Sequence, residues 1–230
     1  MWSAPALVDW CEPNYLYTPW VAELWNTASS LILVVLGLYG MFRVHGLRFR
    51  LGMLGLAGVG VGSAMFHGML VRFAQAADEL PMVWLGLACV WTIADREKPA
   101  GEGRLLAAGF LLFGVLFTIA YATVPWAFTL FLGVYGLLVA WLAVRTAQLT
   151  MGASFPIKRA ALTTIGAYLG SFFVFWVPEH VVLGCDHPLQ AVQLHSWWHV
   201  GAGVGTYAWW WWAYLDRERV LGRHPELAPA

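Results

Sequence analysis

Three histidines carry the clearest chemical signal in this sequence. His67 ends the stretch Ser63-Ala64-Met65-Phe66-His67, and His195 and His199 bracket His195-Ser196-Trp197-Trp198-His199. Residues four apart share one face of a helix, so His195 stands one turn from His199, and Ser63 one turn from His67. All three fall at the edges of apolar runs, where ionisable groups are costly and are retained for function. Three imidazoles at one level form the donor set of a catalytic zinc site, which keeps a fourth position for water. Asp78, in Asp78-Glu79-Leu80-Pro81, falls at the same level and would set a carboxylate beside such a metal. Taken alone, any one of these histidines would read as a hydrogen-bonded core residue; the matched depth of three argues for metal. His180 and His187 are weaker candidates in a later loop, while His45 and His224 fall at the opposite end.

A second polar cluster comprises Asp9, Trp10, Glu12 and Asn14, followed by Glu23 and the polar stripe Asn26, Thr27 and Ser30. Carboxylate, amide and carbonyl oxygens at this spacing suit calcium. A solvated loop with helix caps fits the same residues. Cys11 and Cys185 fall at one level outside the apolar runs and Cys89 inside one, so position permits either a Cys11–Cys185 disulfide or two free thiols.

The elements that must hold these residues follow from composition. Hydrophobic residues make up 60% of the 230-residue chain and charged residues 11%, with zero formal net charge. That is too little charge to cover a soluble domain, and nothing basic enough to bind nucleic acid stands out. A helix crosses a bilayer with roughly 20 apolar residues, and suitable runs occupy 20–42, 51–71, 80–94, 105–124, 126–144, 160–177 and 196–215. The third is short and begins somewhat earlier, in the polar segment around Asp78. Of the 13 basic residues, all but Arg72 follow the first, third, fifth or seventh run. This positive-inside bias puts the C-terminus in the cytoplasm and the N-terminus outside. The expected fold is an all-α membrane protein, a seven-transmembrane-helix bundle forming a single domain over 1–230. Residues 1–19 form an outer N-terminal segment and 216–230 a cytoplasmic tail. With no basic segment before Asp9 and Glu12, no cleavable leader is expected. The histidines then lie toward the outer (periplasmic or lumenal) side. Trp209 to Trp212 fit an aromatic belt at the inner interface. Gly58, Gly60 and Gly62 on the second helix, and Gly201, Gly203 and Gly205 on the seventh, suggest that these two helices pack through glycine below the histidines.

These residues, taken together, resemble the alkaline ceramidases, within a wider group that includes the adiponectin-receptor-like proteins. The matching segments are Asp9-Trp10-Cys11-Glu12-Pro13-Asn14-Tyr15, Glu23-Leu24-Trp25-Asn26-Thr27 with Ser29, and Gly62-Ser63 to His67. They continue with Asp78-Glu79-Leu80-Pro81-Met82 and close with His195 to His199. Between them, helices four to six match only in hydrophobicity. The resemblance implies seven helices and a zinc ion held by His67, His195 and His199, with Ser63 and Asp78 acting beside it. It also implies a calcium ion bound by Asp9, Glu12, Asn14, Glu23 and the Trp10 carbonyl, and a disulfide from Cys11 to Cys185. Pro13 stands where many relatives carry a polar or acidic residue, a departure that bears on calcium affinity.

The activity so implied is zinc-dependent hydrolysis of ceramide to a sphingoid base and a fatty acid. Asp78 would serve as general base and Ser63 as donor to the oxyanion. The partners are then the bilayer and a ceramide-like lipid, with no protein partner implied. The alternatives are a hydrolase of another membrane lipid amide or ester, and a seven-helix lipid receptor with a structural zinc. A transporter is disfavoured, because no paired broken helices appear.

Overall fold

Apolar runs flanked by arginines become long helices. The computed structural model describes residues 4–97 and 104–223. Its helices are α1 (Leu24–Arg43), α2 (Leu47–Met69), α3 (Arg72–Ala94), α4 (Arg104–Thr123), α5 (Ala127–Thr150), α6 (Phe155–Ser171) and α7 (Leu194–Val220). The α6 helix continues through two π-helical segments, Phe172–Trp176 and Pro178–Leu183. No named strand occurs among the described residues, so the chain is all-helical. Six helices are long and apolar enough to cross a membrane: α1 to α5 and the continuous Phe155–Leu183. The seventh, α7, has 27 residues, which is length enough. Its histidine, serine and charged residues keep it short of that apolarity. Lys98, His224 and the end of the expected tail lie outside the described residues, whereas Asp216 to Val220 belong to α7.

Several expected boundaries move. The first helix begins at Leu24, not near residue 20. The later loop expected around His180 and His187 shrinks, because π-helical winding carries the sixth helix to Leu183. The largest correction is α3, which starts at Arg72 and leaves only Leu70 and Val71 between α2 and α3. Leu70 closes this turn in the left-handed region at φ 46°. Arg72 and Gln75 are therefore helical rather than part of a connection. Their polar groups are satisfied within the bundle, so a hydropathy pattern does not register them. Arg72 donates to the Tyr121 hydroxyl at 2.8 Å, Tyr121 donates to Glu79 at 2.7 Å, and Gln75 donates to the other Glu79 oxygen at 2.7 Å.

Glycine does permit close packing, but α2 and α7 do not meet through the expected sets Gly58, Gly60, Gly62 and Gly201, Gly203, Gly205; their glycine contact is Gly52 against Trp210, at the opposite end. A Cβ on Gly60 would strike Ser30, Leu33 and Val34 of α1; one on Gly62 would strike Ala77 and Asp78 of α3. On α7, Gly201 and Gly205 face Ser171 and Tyr168 of the sixth span, and Gly203 faces α1. The pairing of α2 with α3 bears on two of the expected site residues. Pro81 has no N–H to offer the carbonyl of Ala77, four residues earlier. A Cβ on Gly62 would lie 1.9 Å from that Ala77 oxygen, so glycine is what lets the two backbones meet and brings Asp78 beside Ser63.

The tryptophan run is core rather than interfacial belt. Trp209, Trp210 and Trp212 are buried, because α7 is surrounded by its neighbours. Trp209 donates to Thr146 at 3.0 Å and Trp212 to Thr150 at 2.9 Å. At this end of the bundle Arg48 pairs with Asp95, and Arg96 and Arg219 converge on Asp216, tying α2, α3 and α7 together.

At the histidine end, the N-terminal segment lies across the helix ends. Arg72 N–H donates to Ala4 at 2.8 Å, Ala6 N–H to Leu70 at 2.9 Å, and Ala22 N–H to Gly68 at 3.0 Å. Cys11 and Cys185 form a disulfide with an S–S distance of 2.06 Å. Of the two arrangements position allowed, free thiols at these residues are excluded. Cys89 is free and buried.

Candidate metal centre and lipid cavity

His67 on the last turn of α2, and His195 and His199 on the first turns of α7, are all buried. One nitrogen from each lies within 4.8 Å of the others. Ring centroids are 4.6 Å apart for His195–His199, 4.8 Å for His67–His199 and 5.1 Å for His67–His195.

The donor set fits a metal because of what lies behind the rings. His67 Nδ1 is 2.5 Å from Glu23 Oε2. His199 Nδ1 is 2.8 Å from the Ser29 hydroxyl, which itself donates to the Asn26 carbonyl at 3.1 Å. Metal-binding histidines ordinarily send the proton of one ring nitrogen to a carboxylate or carbonyl, fixing the tautomer in which the other nitrogen is a lone-pair donor. Here Glu23 and Ser29 hold that position, leaving Nε2 of His67 and His199 for a cation. Burying three imidazoles side by side without a shared partner would be costly.

Asp78 and Ser63 stand beside the histidines. Both are buried, and the Asp78 carboxyl lies against the Ser63 hydroxyl. Ser63 Oγ is also 3.0 Å from Ser30 Oγ. Below them opens an apolar cavity of about 480 Å³. Ser63, Asp78, His195 and His199 form its polar head, and Phe131, Tyr135, Tyr168, Phe172 and Trp198 line its body. Trp209 also lines it. Ten residues of α7 separate Trp209 from His199, about 15 Å along the axis.

The acidic cluster is assembled at the same end. Glu12 accepts N–H bonds from Trp25 at 2.7 Å and Asn26 at 2.8 Å, capping α1 from far upstream. The helix-cap reading of Glu12 is thus realised. Burial pushes the Glu12 carboxyl above its ordinary pKa, and the bonds from Trp25 and Asn26 oppose that shift. Glu23 accepts from Trp10 N–H at 3.1 Å and from the Asn26 amide at 3.2 Å, besides facing His67. Asp9 binds the Asn14 amide at 2.9 and 3.1 Å and lies near Glu23. Among the described residues, no ion pair joins Asp9 or Glu12 to a lysine or arginine. The indole of Trp10 reaches the histidines, stacking on His195 with centroids 4.2 Å apart.

Glu179 was not among the expected site residues. It is buried at 3% exposure, and its Oε2 lies 3.6 Å from His195 Nδ1. Together with His180 and His195 it forms another group whose ligand atoms fall within 4.8 Å. His180 Nδ1, however, already bonds the Trp176 carbonyl at 2.8 Å. The available signal was an acid within an apolar run, but Pro178 beside it reads as the end of a helix. His187 is spent locally, accepting from Leu189 N–H at 3.2 Å.

Comparison with known proteins gives the family of the chain. A family model described as Ceramidase matches residues 3–226. Alkaline ceramidase 3 of Mus musculus is 31% identical over 219 residues, covering 87% of this chain and 79% of the mouse protein. Alkaline ceramidase YPC1 of Saccharomyces cerevisiae is 27% identical, covering 87% of this chain and 73% of the yeast protein. An alkaline ceramidase of Arabidopsis thaliana is 32% identical over 120 residues, half of this chain and 46% of the plant protein. Membership follows from a match that runs from the N-terminal segment past the last helix: this multi-pass, all-helical membrane protein belongs to the ceramidase family.

Proposed function

We propose that this chain is a zinc-dependent intramembrane amidase that hydrolyses ceramide to a sphingoid base and a fatty acid. The observation that carries the reading is three buried imidazoles with Asp78 and Ser63 at the head of an apolar cavity, in a chain of this family. His67, His195 and His199 would hold the metal. Zinc there supplies a Lewis acid that lowers the pKa of water and polarises a carbonyl. Asp78 takes a proton from the water that attacks the amide carbon. It returns a proton to the nitrogen as the carbon–nitrogen bond breaks. Ser63 donates to the oxygen on which negative charge develops. The cavity shelters hydrocarbon of the substrate, which reaches the site from the bilayer without crossing water.

In this reading, residues 1–230 act as one domain and α7 is the seventh span. The N-terminus and the site face outward and the C-terminus faces the cytoplasm, as the basic residues favour. Asp9, Glu12, Asn14, Glu23 and the Trp10 carbonyl would hold calcium. Glu23, which faces both His67 and this cluster, would then link that site to one zinc ligand. Purified protein should be incubated with a panel of ceramides and other lipid amides and the products identified by mass spectrometry. Release of sphingoid base and fatty acid is expected. Inertness toward every lipid amide would favour a receptor with a structural metal, and turnover confined to other lipids would overturn the ceramide assignment.

A further inference from the structure

Two of the three histidines have their second nitrogen held, and the third shows what is missing. His195 Nδ1 is buried with no hydrogen-bond partner, and so is Glu179 Oε2. These two orphaned atoms lie 3.6 Å apart. We propose that Glu179 is the positioning residue for His195, and that the Cys11–Cys185 disulfide holds Glu179 in that role. The inference rests on the reading of His67, His195 and His199 as metal ligands.

The competing partner for Glu179 is His180, whose Nδ1 is 4.0 Å from the same oxygen. That nitrogen donates to the Trp176 carbonyl at 2.8 Å, so its proton is taken. His195 is the closer ring and the one without an acceptor. A small closure, a few tenths of an ångström, brings the pair to ordinary hydrogen-bond length. Glu179 lies in the π-helical segment Pro178–Leu183 and is buried as the one acid of the span Phe155–Leu183, and an acid so buried is costly without use. Paired with Glu179, His195 gains what Glu23 gives His67 and Ser29 gives His199: a fixed tautomer with Nε2 turned to the metal.

The other Glu179 oxygen ties the device to the disulfide. Oε1 accepts the Cys11 N–H at 3.4 Å, and Cys11 is bonded to Cys185, six residues beyond Glu179. The same segment stacks Trp10 on His195. Losing the disulfide frees Cys11, removes one of the bonds that orient Glu179, and lets the carboxylate turn away from His195.

The test measures zinc affinity by chelator competition in purified, folded protein, together with melting temperature and the visible spectrum of the cobalt-substituted form. Glu179→Gln keeps the shape and the acceptor for Cys11 N–H but removes the charge. We expect zinc affinity to fall by about 10-fold, toward the lower end of the 10- to 100-fold range for such partners, with a shifted cobalt spectrum and little change in melting temperature. Glu179→Ala should lose up to about 100-fold. Replacing Cys11 and Cys185 together by serine should weaken zinc binding in the same direction. Added to Glu179→Ala, the cysteine replacements should weaken it little further, because both act through one contact. Wild-type affinity and spectrum in Glu179→Gln would overturn the positioning role. Full additivity of the cysteine and Glu179→Ala effects would overturn the disulfide link. A wild-type protein that binds no zinc would instead refute the underlying three-histidine reading.

Discussion

Replacing Gly62 with alanine adds one methyl group at the point where α2 and α3 touch. The new Cβ would sit 1.9 Å from the Ala77 carbonyl oxygen, 2.6 Å from its carbon and 3.0 Å from the Asp78 nitrogen. All three are backbone atoms, so no side-chain rotation relieves the clash. To reach even the 3.0 Å below which real Cβ contacts essentially never fall, the backbones must part by roughly 1 Å. Overpacking of this kind costs about 1–3 kcal/mol, offset in part by the roughly 1 kcal/mol that alanine gains over glycine within a helix. The displaced residue is Asp78 itself. A misplacement of about 1 Å at a reacting group can lower turnover by about 10²-fold. Ceramide turnover, zinc content and melting temperature, read on one preparation, should therefore show a large loss of rate with zinc retained and a modest loss of stability. Gly58→Ala is the control on the same helix, since nothing lies within 4 Å of its added Cβ; it should leave turnover unchanged. Wild-type turnover in Gly62→Ala would refute the argument that this contact sets the position of Asp78.

Three further outcomes follow from the site and the charge pattern. Asp78→Asn should keep its fold and zinc yet lose turnover by roughly 10²- to 10⁴-fold; turnover at the wild-type rate would remove Asp78 as the base. Added calcium should raise the melting temperature, because a ligand that binds only the folded state stabilises it. That rise should shrink in Glu23→Ala, and an unchanged melting curve from chelator to millimolar calcium in both proteins would leave the cluster as helix capping alone. A reporter fused after Ala230 should be active only in the cytoplasm, and activity on the far side would contradict an odd number of spans.

What could be read from sequence was whatever leaves a periodic or compositional trace. The i, i+4 spacing of His195 and His199, and the ionisable residues His67 and Asp78 at the margins of apolar runs, mark the site without any structure. The start of α3 left no such trace, since Arg72, Gln75 and Glu79 look like a loop until Tyr121 is brought to satisfy them. Glycine spacing showed which faces are thin but not which helix fills them, so the expected α2–α7 contact proved to be contacts with α1, α3 and the sixth span. The tryptophan run misled in a related way: composition suggested an interface, whereas the partners Thr146 and Thr150 that make it core are about 60 residues away in sequence. Glu179 was hidden by Pro178, because a proline that ordinarily closes a helix here lies within a span that continues by π-helical winding.

The central claim is that the three-histidine site holds a zinc ion required for ceramide hydrolysis. The most direct measurement strips the purified protein with a chelator, verifies metal loss by elemental analysis and restores calcium. Ceramide turnover is then recorded before and after zinc is returned, in wild type and in His67→Ala. The account predicts a wild-type protein silent when stripped and restored by about one equivalent of zinc, and a His67→Ala protein that zinc does not restore. Full turnover by a protein shown to contain no zinc would contradict it.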